Sequence, residues 1–116
     1  MILEKSIRQI EPDITVIELR GRLTLGNLLR EAEDSVKKLV NSGAGAKTNA
    51  LDLSGIAFMD SAGIGMLVAC NSAAETAGSQ FRVAGANARI QQALQITHVD
   101  RVLALHKDMD SALAGW

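Results

Sequence analysis

Apolar residues near the start of the chain recur at strand spacing: Ile2 to Ile10 and Ile14 to Leu19 read as two strands, parted by the turn signal Glu11-Pro12-Asp13. They are expected to form a β-hairpin, with Gly21 ending the second strand. From Gly26 to Asn41 the spacing changes: Leu28, Leu29, Ala32, Val36, Leu39 and Val40 recur at helical intervals, with Glu31, Glu33, Asp34, Lys37 and Lys38 between them. That pattern predicts an amphipathic surface helix. Asn41 to Gly45 breaks it, and Ala50 to Leu53 forms a central strand leading through Ser54 to Met59 into a turn at Asp60-Ser61. A second helix runs from Ser61 to about Ala77, and Gly78-Ser79 punctuates. Phe81 to Ala84 reads as a strand, Asn87 to Leu94 as a short helix capped by Asn87, Val102 to Leu105 as a last strand and Asp108 to Ala114 as a closing helix. The order is β-β-α-β-α-β-α-β-α. It predicts an α/β fold with a mixed, mostly parallel sheet, helices packed on it, and functional residues at the carboxyl ends of strands, where Asp60-Ser61 lies.

Composition narrows the functions available. With 116 residues and 47% hydrophobic content, residues 1–116 fit one domain able to bury a core of Leu, Ile, Val, Ala and Met. Aromatics at 3% leave no stacking platform for single-stranded nucleic acid, and a net charge of −1 speaks against general polyanion binding, so no nucleic-acid partner is expected. Cys70 stands alone in an apolar helical run, which predicts a buried, inert thiol and fits a reducing cytoplasm. The opening MILEKSIRQIEPD carries acids and lacks a long apolar stretch, so no signal peptide is read. No run approaches the roughly 18 apolar residues of a membrane span, so a soluble, cytoplasmic protein without membrane insertion is expected.

The chemistry concentrates on Ser61. Between Thr48 and Phe81 there is no Lys or Arg, and only Asp52, Asp60 and Glu75 are charged. A bare, small-residue surface suits close contact with another protein, although a largely buried strand and helix account for most of the same depletion. A serine in the first turn of a helix sits beside unpaired N–H groups and about half a positive charge, so a phosphate added there need not unfold the chain. Gly63 and Gly65 cost about 1 kcal/mol each in an early helix, which calls for close helix-to-sheet packing or a partner's close approach.

Other readings of the motifs are weaker. Gly43 to Thr48 lacks the glycine before Lys47, and the helix after it, that a phosphate loop needs. Gly63-Ile64-Gly65 has Val68 where a dinucleotide fingerprint has its third glycine. The Ser61 context half-matches a nucleophile elbow, with only His98 and His106 to act as base, so no catalytic residue and no enzymatic activity are assigned. No His, Cys, Asp or Glu cluster has metal-ligand spacing, and no cofactor is indicated. Asp60 could accept a phosphoryl group as receiver-domain aspartates do, but Leu19 to Arg22 supplies no acidic pair for magnesium, so Asp60 is read as a cap or shaping neighbour of Ser61.

The run Leu51 to Gly65, LDLSGIAFMDSAGIG, resembles the signature of the STAS domain, the family of bacterial anti-sigma factor antagonists. The resemblance also covers the hairpin, a Gly21-Arg22-Leu23 turn before the first helix, Phe81 to Ala84 and Val99 to Val102. It implies a STAS-like fold and phosphorylation of Ser61 by a partner that is both anti-sigma factor and serine kinase. A metal-dependent, PP2C-type phosphatase would reverse the reaction. The unphosphorylated form would bind the anti-sigma factor and free a sigma factor, with Asp60, Ala62, Gly63, Met66, Gly21 and Thr24 bordering the partner. Ala62 replaces a second serine common in the family, and Thr24 an aspartate. The other role the family implies is a structural subunit of a signalling or lipid-transport complex, with Ser61 unmodified.

Overall fold

The computed structural model describes residues 3–41 and 48–114. Its elements follow the expected order: β1 (Leu3–Glu11), β2 (Ile14–Leu23), α1 (Asn27–Val40), β3 (Thr48–Met59), α2 (Ser61–Thr76), β4 (Gln80–Ala84), α3 (Ala88–Ile96), a 3-10 turn (Val99–Arg101), β5 (Ala104–His106) and α4 (Met109–Leu113). The Gly43 to Lys47 stretch lies outside the described residues.

The five strands lie in the order β1-β2-β3-β4-β5. β1 and β2 form the antiparallel hairpin, and the other neighbours pair in parallel. Each of α1, α2 and α3 carries the chain one strand onward in the same direction, so the right-handed crossover rule puts all three on one face. Their buried residues join one core with that face: Leu29, Val36 and Val40 of α1, Met66, Leu67 and Cys70 of α2, and Ile90 and Leu94 of α3 pack with Ile17, Leu19, Leu51, Leu53 and Val83. α4 lies at β4 on the other side, where Ala112 is buried and its carbonyl accepts the Arg82 guanidinium at 2.7 Å.

Three features differ from the sequence reading. Gly21 does not end β2: the strand runs on to Leu23, and Gly21 pairs with both Leu3 and Ile56. Its φ of 115° serves the register shift between Gly21 and Arg22, a backbone state open to glycine. Leu28 is not a core residue. The stripe buried by α1 is Leu29, Ala32, Val36 and Val40, and one position away from it Leu28 stays 43% exposed. The last strand starts at Ala104, because His98, at φ 61°, opens the 3-10 turn and leaves Val102 exposed.

β3 is much longer than β4. The pairing with β4 ends at Asp52–Ala84, after which β3 continues to Met59 beside β2 alone. Asn87 closes part of the resulting gap. Its Oδ1 accepts the Ile90 N–H at 2.9 Å, capping α3, while its Nδ2 donates to the Ile56 carbonyl at 3.3 Å. The overhang of β3 is thereby fixed, and the candidate site stands at its tip.

Candidate functional site

At the carboxyl end of β3 the chain passes in one residue from strand to helix, and that residue is Asp60. Its extended backbone and short carboxylate make it the N-cap of α2: Oδ1 accepts the Gly63 N–H at 3.0 Å. Oδ2 accepts the Leu25 N–H at 3.0 Å, from the loop between β2 and α1. These two bonds, that of Leu25 foremost, hold the Asp60 carboxyl below its ordinary pKa. The expectation of Asp60 as a cap is met, and the residue is also a clip between two segments.

Because Asp60 caps the helix, Ser61 is left with nothing structural to do. It occupies the first helical position, it is exposed, and its hydroxyl makes no hydrogen bond among the described residues. One turn later Gly65 is also exposed, and a Cβ built on it would meet nothing within 4 Å. Residues four apart share a helix face, so Ser61 stands beside open space.

Other residues expected to border a partner lie differently. Met66 is corrected to a core residue: it is 1% exposed on the inner face of α2. Gly63 is buried as well, so closely packed that an added Cβ would lie 2.3 Å from the Leu23 carbonyl and 2.7 Å from Met59 Cγ. The two glycines thus divide, with Gly63 serving helix-to-sheet packing and Gly65 an open surface. Ala62 is half-buried with its methyl group against the core. Gly21 lies within β2 and away from any turn; the turn is the Thr24 to Gly26 loop, where Thr24 is half-buried.

Three apolar side chains that the sequence reading did not place at the site stand exposed on the segments that lead to and from this end of β2 and β3: Leu25 at 72%, Leu28 at 43% and Phe58 at 41%. Leu25 is tied to Asp60 through its own N–H, Phe58 precedes Asp60 by two residues and pairs across the sheet with Arg22, and Leu28 lies in the first turn of α1. The usable signal was Leu25 itself, a large apolar residue in a polar turn.

The histidines are remote from the hydroxyl. His106 pairs with Ala84, in line with Asp52, whereas Ser61 lies beyond the end of β3, which is itself seven residues farther on at Met59. At about 3.3 Å per strand residue the separation is on the order of 20 Å. His98 belongs to the corner after α3, on the β5 side of the sheet. Among the described residues no group of His, Cys, Asp or Glu is arranged to hold a metal. No described helix is long and apolar enough to cross a membrane.

This arrangement of strands and helices matches known proteins. The family model described as Mlab, STAS domain, matches residues 7–107. The chain belongs to the STAS domain family. Among solved structures, an anti-sigma factor antagonist from Mycobacterium paratuberculosis superposes with a TM-score of 0.81 at 18% identity, over 97% of this STAS domain and 92% of that chain. The Bacillus cell fate determinant SpoIIAA in its phosphorylated form gives 0.72 at 15% identity, over 94% and 96%. A sulfate transporter family protein from Wolinella succinogenes gives 0.75 at 18%, over 92% and 87%. At these identities the likeness is one of fold, shared by STAS domains of antagonists and of transporters alike.

Proposed function

We propose that this STAS domain is an anti-sigma factor antagonist whose switch is the hydroxyl of Ser61. Unphosphorylated, it binds an anti-sigma factor that is also a serine kinase and so frees a sigma factor; phosphorylated at Ser61, it no longer binds; a PP2C-type phosphatase restores it. The domain acts by binding and carries no catalysis of its own. The observation that supports this most is the division of labour at the start of α2: Asp60 supplies the cap, and the adjacent Ser61 hydroxyl is exposed and unengaged. Exposed Leu25, Leu28 and Phe58 supply apolar surface for a partner beside it.

Energetics favour a switch that acts on the complex. A phosphate adds about −1.5 to −2 charges. At the N-terminus of a 16-residue helix the peptide dipoles offset part of its repulsion from Asp60, by about 0.3 to 1 kcal/mol. Buried against a partner without matched cations, the same group costs several kcal/mol, a loss of about two or more decades in affinity.

A second reading is favoured by the transporter neighbour: a STAS structural subunit of a larger signalling or lipid-transport assembly, with Ser61 unmodified. Mass spectrometry of the protein isolated from its host separates the two. A phosphopeptide spanning Ser61 supports the switch. A stable stoichiometric complex in which Ser61 is never modified overturns it in favour of the subunit.

A further inference from the structure

β1 is the outermost strand of the sheet, and among the described residues no strand lies beyond it. Its outward backbone groups therefore form a row that another strand can pair with. We propose that a second copy of this chain takes that place, β1 against β1, antiparallel about a two-fold axis through Ser6, joining two five-stranded sheets into one.

The register follows from the strand itself. Only alternate residues of an edge strand direct both N–H and C=O outward, so a symmetric antiparallel pair must be centred on a residue and not between two. The regular ladder of β1 with β2 runs from Leu3 to Gln9, and the register shifts between Gln9 and Glu11. The centre of that regular stretch is Ser6. Centring there sets Glu4 opposite Arg8 of the second copy and Arg8 opposite its Glu4, two ion pairs on one sheet face. Sliding the centre to Ile7 leaves no opposed charges, to Lys5 sets lysine against lysine, and to Arg8 sets arginine against arginine. Charge and ladder length thus select the same register independently.

The groups needed are exposed. Glu4, Ser6 and Arg8 all lie on the surface, and neither Glu4 nor Arg8 has an ion-pair partner among the described residues. On the other face Ile7 is 43% exposed. In the proposed register it lies opposite Lys5 of the second copy. The Lys5 ammonium donates to Ser35 Oγ of its own α1 at 2.6 Å, so no charge faces Ile7 across the axis. Charges of one sign keep edge strands apart; here the signs alternate and match across the axis. Seven residues per copy bury less than the roughly 1,200 Å² of a permanent interface, so the pair is reversible and forms in the micromolar range or above. Ser61 follows β3, two strands in from the edge, and stays accessible.

Sedimentation velocity between about 10 µM and 1 mM tests the pairing. The weight-average mass is expected to rise with concentration toward that of two chains. Arg8→Glu sets like charges opposite each other and is expected to weaken association by roughly tenfold or more. Glu4→Arg with Arg8→Glu restores both pairs and is expected to bring association back near the wild-type level. Circular dichroism confirms that both variants fold. A wild type that stays monomeric to 1 mM overturns the proposal, as does a dimer untouched by Arg8→Glu or a double exchange that fails to restore it.

Discussion

Asp60 and Leu25, thirty-five residues apart in sequence, are joined by a 3.0 Å hydrogen bond from the Leu25 N–H to Asp60 Oδ2. The same carboxylate caps α2 through Gly63, so one side chain fixes both where the helix begins and where the β2–α1 loop lies against it. Asp60→Ala is therefore expected to cost about 1 to 2 kcal/mol in urea denaturation. Amide exchange should speed up at Leu25 and Gly63 together. Faster exchange at Gly63 alone would show that the loop is held by something else.

The lowered pKa of Asp60, caused first by Leu25 and then by Gly63, makes the clip sensitive to acid. A carboxyl whose folded pKa is depressed contributes its full stability above the unfolded value of about 3.9 and loses it as pH falls through the lowered folded value. Urea midpoints measured from pH 6 down to pH 2 are expected to fall less steeply for Asp60→Asn than for wild type below about pH 4. Parallel curves would remove Asp60 as a source of that slope.

Gly63 and Gly65 are expected to respond oppositely to the same substitution. Gly63→Ala drives a methyl group into the Leu23 carbonyl and Met59, and is expected to destabilise by about 1 to 3 kcal/mol. Gly65→Ala meets nothing and gains helix propensity, so it is expected to stabilise by about 0.5 to 1 kcal/mol. Thermal melts of the two variants beside wild type check both signs.

Ser61→Ala is expected to bind the anti-sigma partner continuously, and Ser61→Asp to bind it at least about tenfold more weakly while melting within a degree or two of wild type. Affinities from calorimetry and melts from circular dichroism give the two readouts. Equal affinities would discard the switch, and a large fall in melting temperature for Ser61→Asp would move its action from the complex to the fold.

Cys70 of α2 lies fully buried, and burial pushes its thiol up to about 12, with the Glu33 carboxylate of α1 adding to the shift. The thiol is protonated at neutral pH and out of reach, so a thiol reagent at pH 8 is expected to leave the native protein unlabelled and to label it fully in denaturant. Rapid native labelling would contradict the packing of α2.

The element order was legible because its signals are local. Asp60 at the end of an apolar strand, Asn87 before α3 and Asp108 before α4 are all short acceptor side chains at helix starts, and each caps its helix, Asn87 as expected. Gly21 misled because glycine serves two purposes: it ends strands, and it also supplies the positive φ of a bulge inside one. Leu28 misled because it adjoins the buried stripe in sequence while lying about 100° around the helix from Leu29.

By itself the sequence determined that a strand turns into a helix at Asp60-Ser61 and that a serine hydroxyl stands in its first turn, since capping and periodicity are decided within a few residues. Which neighbours share the surface with that hydroxyl was decided only by tertiary structure. α2 is apolar almost all round, so no periodicity marks its inner face. The docking of the helix against α1, β3 and β4, with Gly63 close to Leu23 at the end of β2, turned Met66 inward and Gly65 outward. The same docking set Leu25 beside Asp60, a contact between distant segments that no local pattern encodes.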